Sequence, residues 1–155
     1  MIRISKGLDL PISGSPSLHI SDEPKVSSVG LLSNDFIGMK PTMFFKEGDY
    51  VKTGQKIFED KKNPNVIFTS PGSGNIKSIN RGDKRKFLSI EIDLDNNEDY
   101  VEFEINKPLT SILIESGLWN SFRTRPFNRT PATSDVPYAI FVNCCDTNPL
   151  SVDPY

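Results

Sequence analysis

Short runs of apolar residues, separated by turn-forming residues, make up most of the first two thirds of the chain. Apolar and polar positions alternate most clearly over residues 87–94, and they alternate again over residues 100–105. The apolar face of the first segment carries Leu88, Ile90, Ile92 and Leu94. A period of two predicts strands, and we expect these two segments to pair as a hairpin. Another strand is predicted over residues 26–32.

Two Gly-Asp pairs, Gly48-Asp49 and Gly82-Asp83, bracket the centre of the chain. Glycine adopts positive φ at little steric cost, and aspartate accepts hydrogen bonds from nearby backbone N–H groups, so each pair predicts a tight turn. Between the two turns, the pattern predicts two strands joined by a hairpin tip at residues 60–65. The segment from Val26 to Ile105 is therefore predicted to be an all-β unit with a protruding hairpin.

The period of the pattern changes after Asn106. Apolar side chains over residues 109–113 recur at helical spacing and predict a short helix that ends near Gly117. A second short helix is predicted from Leu118 to the residue before Pro126.

The last apolar run, Tyr138–Val142, is continuous rather than alternating, which is typical of a strand buried in a parallel sheet. No helix or second parallel strand follows it, so we expect the start of an incomplete α/β domain whose remainder is absent. The predicted fold is mainly β over residues 1–105, with a short helical linker and the first strand of a truncated α/β domain over residues 106–155.

Composition narrows the classes of function. A chain of 155 residues with ten phenylalanines can bury a substantial core. Its net charge of −2 argues against a nucleic-acid binder, and one basic cluster, Arg81 with Lys84–Lys86, is predicted to be a solvated hairpin rim. No apolar run is long enough to span a bilayer, and the first residues do not resemble a secretory signal.

Few residues offer chemistry. His19 is the single histidine and has no cluster of metal ligands nearby in sequence, so we predict a structural role. The adjacent residues Cys144 and Cys145 are expected to be reduced, and a thiol enzyme would need a base to lower the thiol pKa. Arg123 and Arg125 could bind an anionic ligand, face solvent or pair with carboxylates. We therefore assign no catalytic, cofactor-binding or metal site.

The order of turns and strands in the centre of the chain resembles the biotinyl/lipoyl-like family. The resemblance rests on the two Gly-Asp turns, Ile57-Phe58-Glu59, the tip Asp60-Lys61-Lys62-Asn63-Pro64, and the strand that ends at Ser70-Pro71. It implies a flattened barrel of two short sheets, a barrel-sandwich hybrid. Carriers of that family are modified on a tip lysine, so a lipoyl- or biotin-type carrier remains an alternative, although Pro64 should alter the tip.

Five motifs in order also resemble the NqrA family, whose members belong to bacterial sodium-translocating NADH:quinone oxidoreductases. The motifs lie at residues 6–14, 59–64, 70–74, 116–127 and 146–150. Proteins of that family are longer, so the resemblance implies that this chain is the N-terminal portion of such a protein.

The resemblance to this family implies a non-catalytic scaffold or docking role in a complex that passes electrons from NADH to quinone and exports sodium. The enzyme activity, NADH:quinone reductase and translocase, would belong to the complex, and the isolated fragment is expected to be inactive. Flavins and a 2Fe–2S centre would lie in partner subunits, and quinone is a candidate ligand of the full-length protein.

The resemblance also implies partners and a location. The expected partners are the other subunits, chiefly the membrane subunit NqrB, with no nucleic acid. The expected location is peripheral, on the cytoplasmic side of the bacterial inner membrane. Two groups of residues are candidates for function: the docking tip Asp60, Lys61, Lys62, Asn63 and Pro64, and the motif loop after the last strand, Asp146, Thr147, Asn148 and Pro149.

Overall fold

The structure is a computed structural model that describes residues 12–19, 25–95, 97–144 and 150–151. The chain divides into two compact units, Lys25–Val136 and the pair of segments Met1–Pro24 with Pro137–Tyr155. Within the described residues, all regular secondary structure belongs to the unit Lys25–Val136.

Seven strands precede the one α-helix of the described residues. The strands are β1 (Ser28–Leu32), β2 (Pro41–Met43), β3 (Tyr50–Val51), β4 (Lys56–Asp60), β5 (Ile67–Thr69), β6 (Gly74–Arg81) and β7 (Phe87–Leu94). The helix is α1 (Leu109–Glu115), and three 3-10 helices cover Ser33–Asp35, Asp83–Arg85 and Leu118–Ser121. These elements confirm the prediction of a mainly β chain with a short helix.

The strands form two antiparallel sheets whose side chains share one core. Four strands pair in the order β1–β7–β6–β3 and three in the order β2–β4–β5. Phe58 of the smaller sheet stacks on Phe68 at 4.7 Å between ring centroids and meets the edge of Phe87, from the larger sheet, at 5.5 Å. Full burial of each such ring stabilises the fold by roughly 1.5–3 kcal/mol.

Helix α1 begins and ends where the sequence predicts. Pro108 caps its start, and at its end the N–H of Ser116 donates to the carbonyl of Ile112 at 2.9 Å. Gly117 then adopts a left-handed φ of 77°, which stops the helix. None of the helices in the described part of the chain is long and apolar enough to cross a membrane.

Some predicted elements differ in the structure. The strand predicted over residues 100–105 is wrong, because Tyr100 makes only an isolated parallel bridge to Thr53 and residues 101–104 are irregular. The helix predicted after Gly117 is reduced to the 3-10 helix Leu118–Ser121, since Phe122 is already extended.

Leu88 does not join the buried face of β7. The pairing of β6 with β7 shifts between Asn80 opposite Ser89 and Arg81 opposite Phe87, so Leu88 has no partner and is 44% exposed. Phe87 is buried in its place. This irregularity overrides the strict alternation that the sequence predicts.

The second Gly-Asp turn is built differently from the first. Gly48 has the expected positive φ of 89°, whereas Gly82 has a φ of −96° and the left-handed residues are Lys84 and Arg85. Further along the chain, the structure assigns no strand to residues 138–142. Their described side chains are exposed, and the described residues of their own unit offer no strand with which to pair.

Candidate functional site

Backbone hydrogen bonds close the tip of the β4–β5 hairpin, which carries the predicted docking residues. The carboxylate of Asp60 accepts hydrogen bonds from the backbone N–H groups of Lys40 at 2.9 Å and Lys62 at 3.0 Å. The backbone N–H of Lys61 donates to the carbonyl of Lys40 at 2.8 Å. These bonds join the tip to the loop that precedes β2.

The side chains of the tip are also tied to neighbouring segments. The ammonium of Lys62 donates to the carbonyl of Gly38 at 3.1 Å. The amide of Asn63 donates to the carbonyls of Thr130 at 3.3 Å and Pro131 at 3.1 Å. Within the described part of the chain, Lys61 is therefore the tip lysine whose side chain is exposed without such a bond.

Residues 128–132 form a strap across the hairpin. The carbonyl of Pro131 accepts from the amide of Asn63 and also from the indole N–H of Trp119, at 3.1 Å in each case. Trp119 is buried in the core, so the strap connects the hairpin tip to the core through the 3-10 helix that carries this tryptophan.

A basic cleft of about 550 Å³ opens beside the tip. Three separate segments form it: the loop before β2, the hairpin tip and the turn between β6 and β7. Apolar residues of the lining include Phe36, Ile37, Met39 and Phe87. We define the basic cleft by its six cationic side chains: Lys40, Lys62, Arg81, Lys84, Arg85 and Lys86.

The turn between β6 and β7 supplies four of these six cations. It is closed by the N–H of Gly82, which donates to the carbonyl of Lys86 at 2.8 Å. Within it, Lys84 and Arg85 have φ values of 53° and 61°, which are uncommon for residues other than glycine. The guanidinium of Arg81 donates to the carbonyl of Arg85 at 3.5 Å, so the cations stand close together on one tight turn.

The charge of the basic cleft is not neutralised by described carboxylates. No Asp or Glu lines it, and in the described residues none of its six cations forms an ion pair, whereas Lys56, Lys77 and Lys107 do. The nearby carboxylate of Asp60 accepts from two backbone N–H groups. A locally positive surface therefore lies on a chain whose net charge is −2.

Arg123 serves the fold. Its guanidinium donates to the carbonyls of Asn120, of Phe122 at 3.0 Å and of Asp35 at 3.2 Å, and it lies over the ring of Phe36. These contacts favour a structural role over the anion-binding alternative for Arg123.

The other candidates from sequence are exposed or undescribed. Arg125, His19 and the free thiol of Cys144 are exposed. Across the described residues, no three His, Cys, Asp or Glu side chains form a group that could hold a metal ion. Cys145 and the motif loop Asp146, Thr147, Asn148 and Pro149 lie outside the described residues.

Comparisons with known proteins agree with the fold. Residues 2–95 match the family model "NqrA N-terminal barrel-sandwich hybrid domain", and residues 105–155 match "NqrA second alpha/beta domain". The chain belongs to the NqrA family. The barrel-sandwich fold that the sequence predicts is thereby confirmed, and the basic cleft lies within the barrel-sandwich part of the chain.

Relatives in this family carry the name of the NqrA subunit of a Na(+)-translocating NADH-quinone reductase. The protein of Neisseria gonorrhoeae (strain NCCP11945) is 49% identical over 99% of this chain and 36% of its own length. Those of Actinobacillus pleuropneumoniae serotype 5b and Yersinia pseudotuberculosis serotype O:1b are 48% and 47% identical, with the same shares covered. The chain thus spans 36% of the length of these relatives.

Proposed function

We propose that this chain is a non-catalytic scaffold of a sodium-translocating NADH-quinone reductase, in which it docks other subunits of the complex. The observation that carries the proposal is the similarity to NqrA relatives over 99% of the chain. Electron transfer from NADH to quinone and export of sodium are proposed as activities of the assembled complex. The membrane subunit NqrB is proposed as the main partner.

The chemistry of the chain supports a scaffold. Its two cysteines are too few for the four thiolates that hold an iron–sulfur cluster. The buried hydroxyls serve the fold: Ser70 donates to the carbonyl of Gly72 at 2.6 Å, and Ser73 donates to the carboxylate of Asp95 at 3.2 Å. We propose that flavins and the 2Fe–2S centre are held by partner subunits, and that quinone binds near the full-length protein.

The proposed place of action is the cytoplasmic side of the bacterial inner membrane, where the chain would be peripheral. The hairpin tip is the proposed contact with the partners, because it protrudes between β4 and β5 and Lys61 faces outward from it. Asp60, Lys62 and Asn63 hold the tip in a defined shape through the hydrogen bonds described above.

The alternative of a lipoyl- or biotin-type carrier fits the tip less well. A carrier lysine has to swing its cofactor between distant sites, whereas Lys62 is bonded to Gly38 and Asn63 is bonded to the strap. Lys61 is the lysine left for modification, and the bonds on either side of it restrain the turn.

Copurification from native membranes tests the docking role. The full-length natural polypeptide that carries this sequence should retain partner subunits on an affinity tag. Lys61→Glu should reduce the recovered partners several-fold, whereas Lys52→Glu, an exposed lysine away from the tip, should leave recovery unchanged. The proposal fails if the wild-type polypeptide recovers no partner of the complex.

A further inference from the structure

We propose that the basic cleft binds a polypeptide segment of a partner subunit, in which acidic and apolar side chains lie close together. The inference rests on the docking role proposed above and adds the chemistry of the partner. Three features carry it: positive charge that described carboxylates do not neutralise, an apolar floor, and a free strand edge beside the cleft.

The first feature is the concentration of charge. Like charges held this close repel one another, and the turn that presents them places Lys84 and Arg85 in a left-handed conformation of low occurrence. An anionic partner relieves the repulsion, and charge complementarity of this kind guides association and selects the partner. Strained backbone of this type concentrates at binding sites.

The second feature is the floor of the cleft. Ile37 is 51% exposed, and Phe36 and Met39 are half-buried. A small inorganic anion would fill little of the 550 Å³ and would leave these side chains in water. A segment that carries apolar residues between its carboxylates covers the floor and neutralises the rim together.

The third feature favours a polypeptide over a lipid head group. Pro41 and Lys40 line the cleft, and Pro41 begins β2, which lies at the edge of the three-stranded sheet among the described strands. An edge strand leaves main-chain groups unpaired, and an extended polypeptide can pair with them. A phospholipid has no equivalent groups along a strand.

Peptide titration of the purified full-length natural polypeptide tests the proposal. The probe is a fluorescent peptide of alternating Glu and Leu, with a counterpart in which Gln replaces Glu. We expect the Glu peptide to bind and K40E/K86E to weaken its binding at least about tenfold, or about 1.4 kcal/mol. K46E/K52E makes the same change in net charge outside the cleft and should leave binding unchanged.

A neutral variant guards against misfolding. K40Q/K86Q adds no carboxylate beside Asp60 and should also weaken binding of the Glu peptide, with an unchanged circular dichroism spectrum. Equal losses in the cleft variant and in K46E/K52E would overturn the proposal. So would cleft-dependent binding of phosphatidylglycerol vesicles by a polypeptide that does not bind the Glu peptide.

Assembly with membrane partners separates this inference from the proposed function. Reduced partner recovery by K40E/K86E supports the basic cleft as the docking surface. If K40E/K86E recovers partners as the wild type does, the docking role stands and the inference is overturned. If the wild type recovers no partners, the docking role fails, and the titration with the Glu peptide then decides the chemistry of the cleft by itself.

Discussion

Gly74 occupies a position at the start of β6 where the neighbouring strand leaves no room for a side chain. Its φ is +151°, and a Cβ would lie 2.0 Å from the carbonyl oxygen of Asp93. Gly74→Ala should therefore lower the free energy of unfolding by about 3 kcal/mol, because both the backbone conformation and the β6–β7 pairing must change. Urea denaturation measures the loss.

Gly48→Ala is the matched control for Gly74. Its φ of +89° is also positive, but in the described part of the chain no atom lies within 4 Å of the added Cβ. The loss should therefore be about 1 kcal/mol, from conformation alone. Equal losses at the two positions would show that contact with β7 does not limit position 74.

Tyr50 has a phenol that should titrate late. It donates to the carboxylate of Asp99 at 3.2 Å. Desolvation by the surrounding protein raises the pKa of Tyr50 to about 12, and the carboxylates of Asp95 and Asp99 act in the same direction. The unfolded residue has a pKa of about 10, so at a pH between these two values the unfolded chain releases a proton that the folded chain keeps.

The stability of the protein should therefore fall as the pH rises from about 10 to 12, and fall less steeply in Tyr50→Phe. Urea unfolding at a series of pH values measures the two slopes, and phenolate absorption of the folded protein locates the late titration. Identical slopes in the two proteins would contradict the assignment to Tyr50.

At the scale of elements, the hairpin and the strap hold each other in place. The amide of Asn63 donates to two strap carbonyls, and a carboxylate at this position cannot donate. Asn63→Asp should remove both bonds and place a negative charge against Thr130 and Pro131, lowering the free energy of unfolding by about 1–3 kcal/mol.

Amide hydrogen exchange and urea denaturation check the Asn63 prediction. The hairpin amides of Asn63→Asp should exchange faster than those of the wild type, since the bonds that restrain the tip are lost. Asn75→Asp is the control, because Asn75 is exposed on β6 and the described structure gives its side chain no hydrogen bond. Unchanged exchange in the hairpin of Asn63→Asp would contradict a restraining role for the strap.

For the whole molecule, the restrained tip predicts unmodified lysines. Intact-mass measurement of the natural polypeptide from its own host should show no lipoyl or biotinyl increment on Lys61 or Lys62. Peptide mapping assigns any increment to a residue. A carrier mass on either lysine would replace the scaffold proposal with the carrier alternative.

The isolated chain should be colourless and should not oxidise NADH, because the scaffold proposal places the redox groups in partner subunits. Absorption spectra after gel filtration and an NADH oxidation assay measure these properties. A flavin band that stays with the chain through gel filtration would contradict the proposal.

Local chemistry determined much of this fold from the sequence. The Gly48-Asp49 turn, the β4–β5 hairpin and the end of α1 at Gly117 depend on residues within a few positions of one another, so their pattern can be read directly. The family motifs in the sequence also indicated the barrel-sandwich fold, and the tip residues 60–64 lie in the hairpin turn as expected.

Long-range packing decided the rest. Leu88 is excluded from the core by a register shift against β6, and residues 99–101 bond to Thr53 instead of pairing with β7. The basic cleft joins Lys40, Lys62 and the turn at residues 81–86, which lie about twenty residues apart along the chain. In the sequence these cations read as separate solvated charges. Only the packing of the two sheets brings their like charges around one apolar floor.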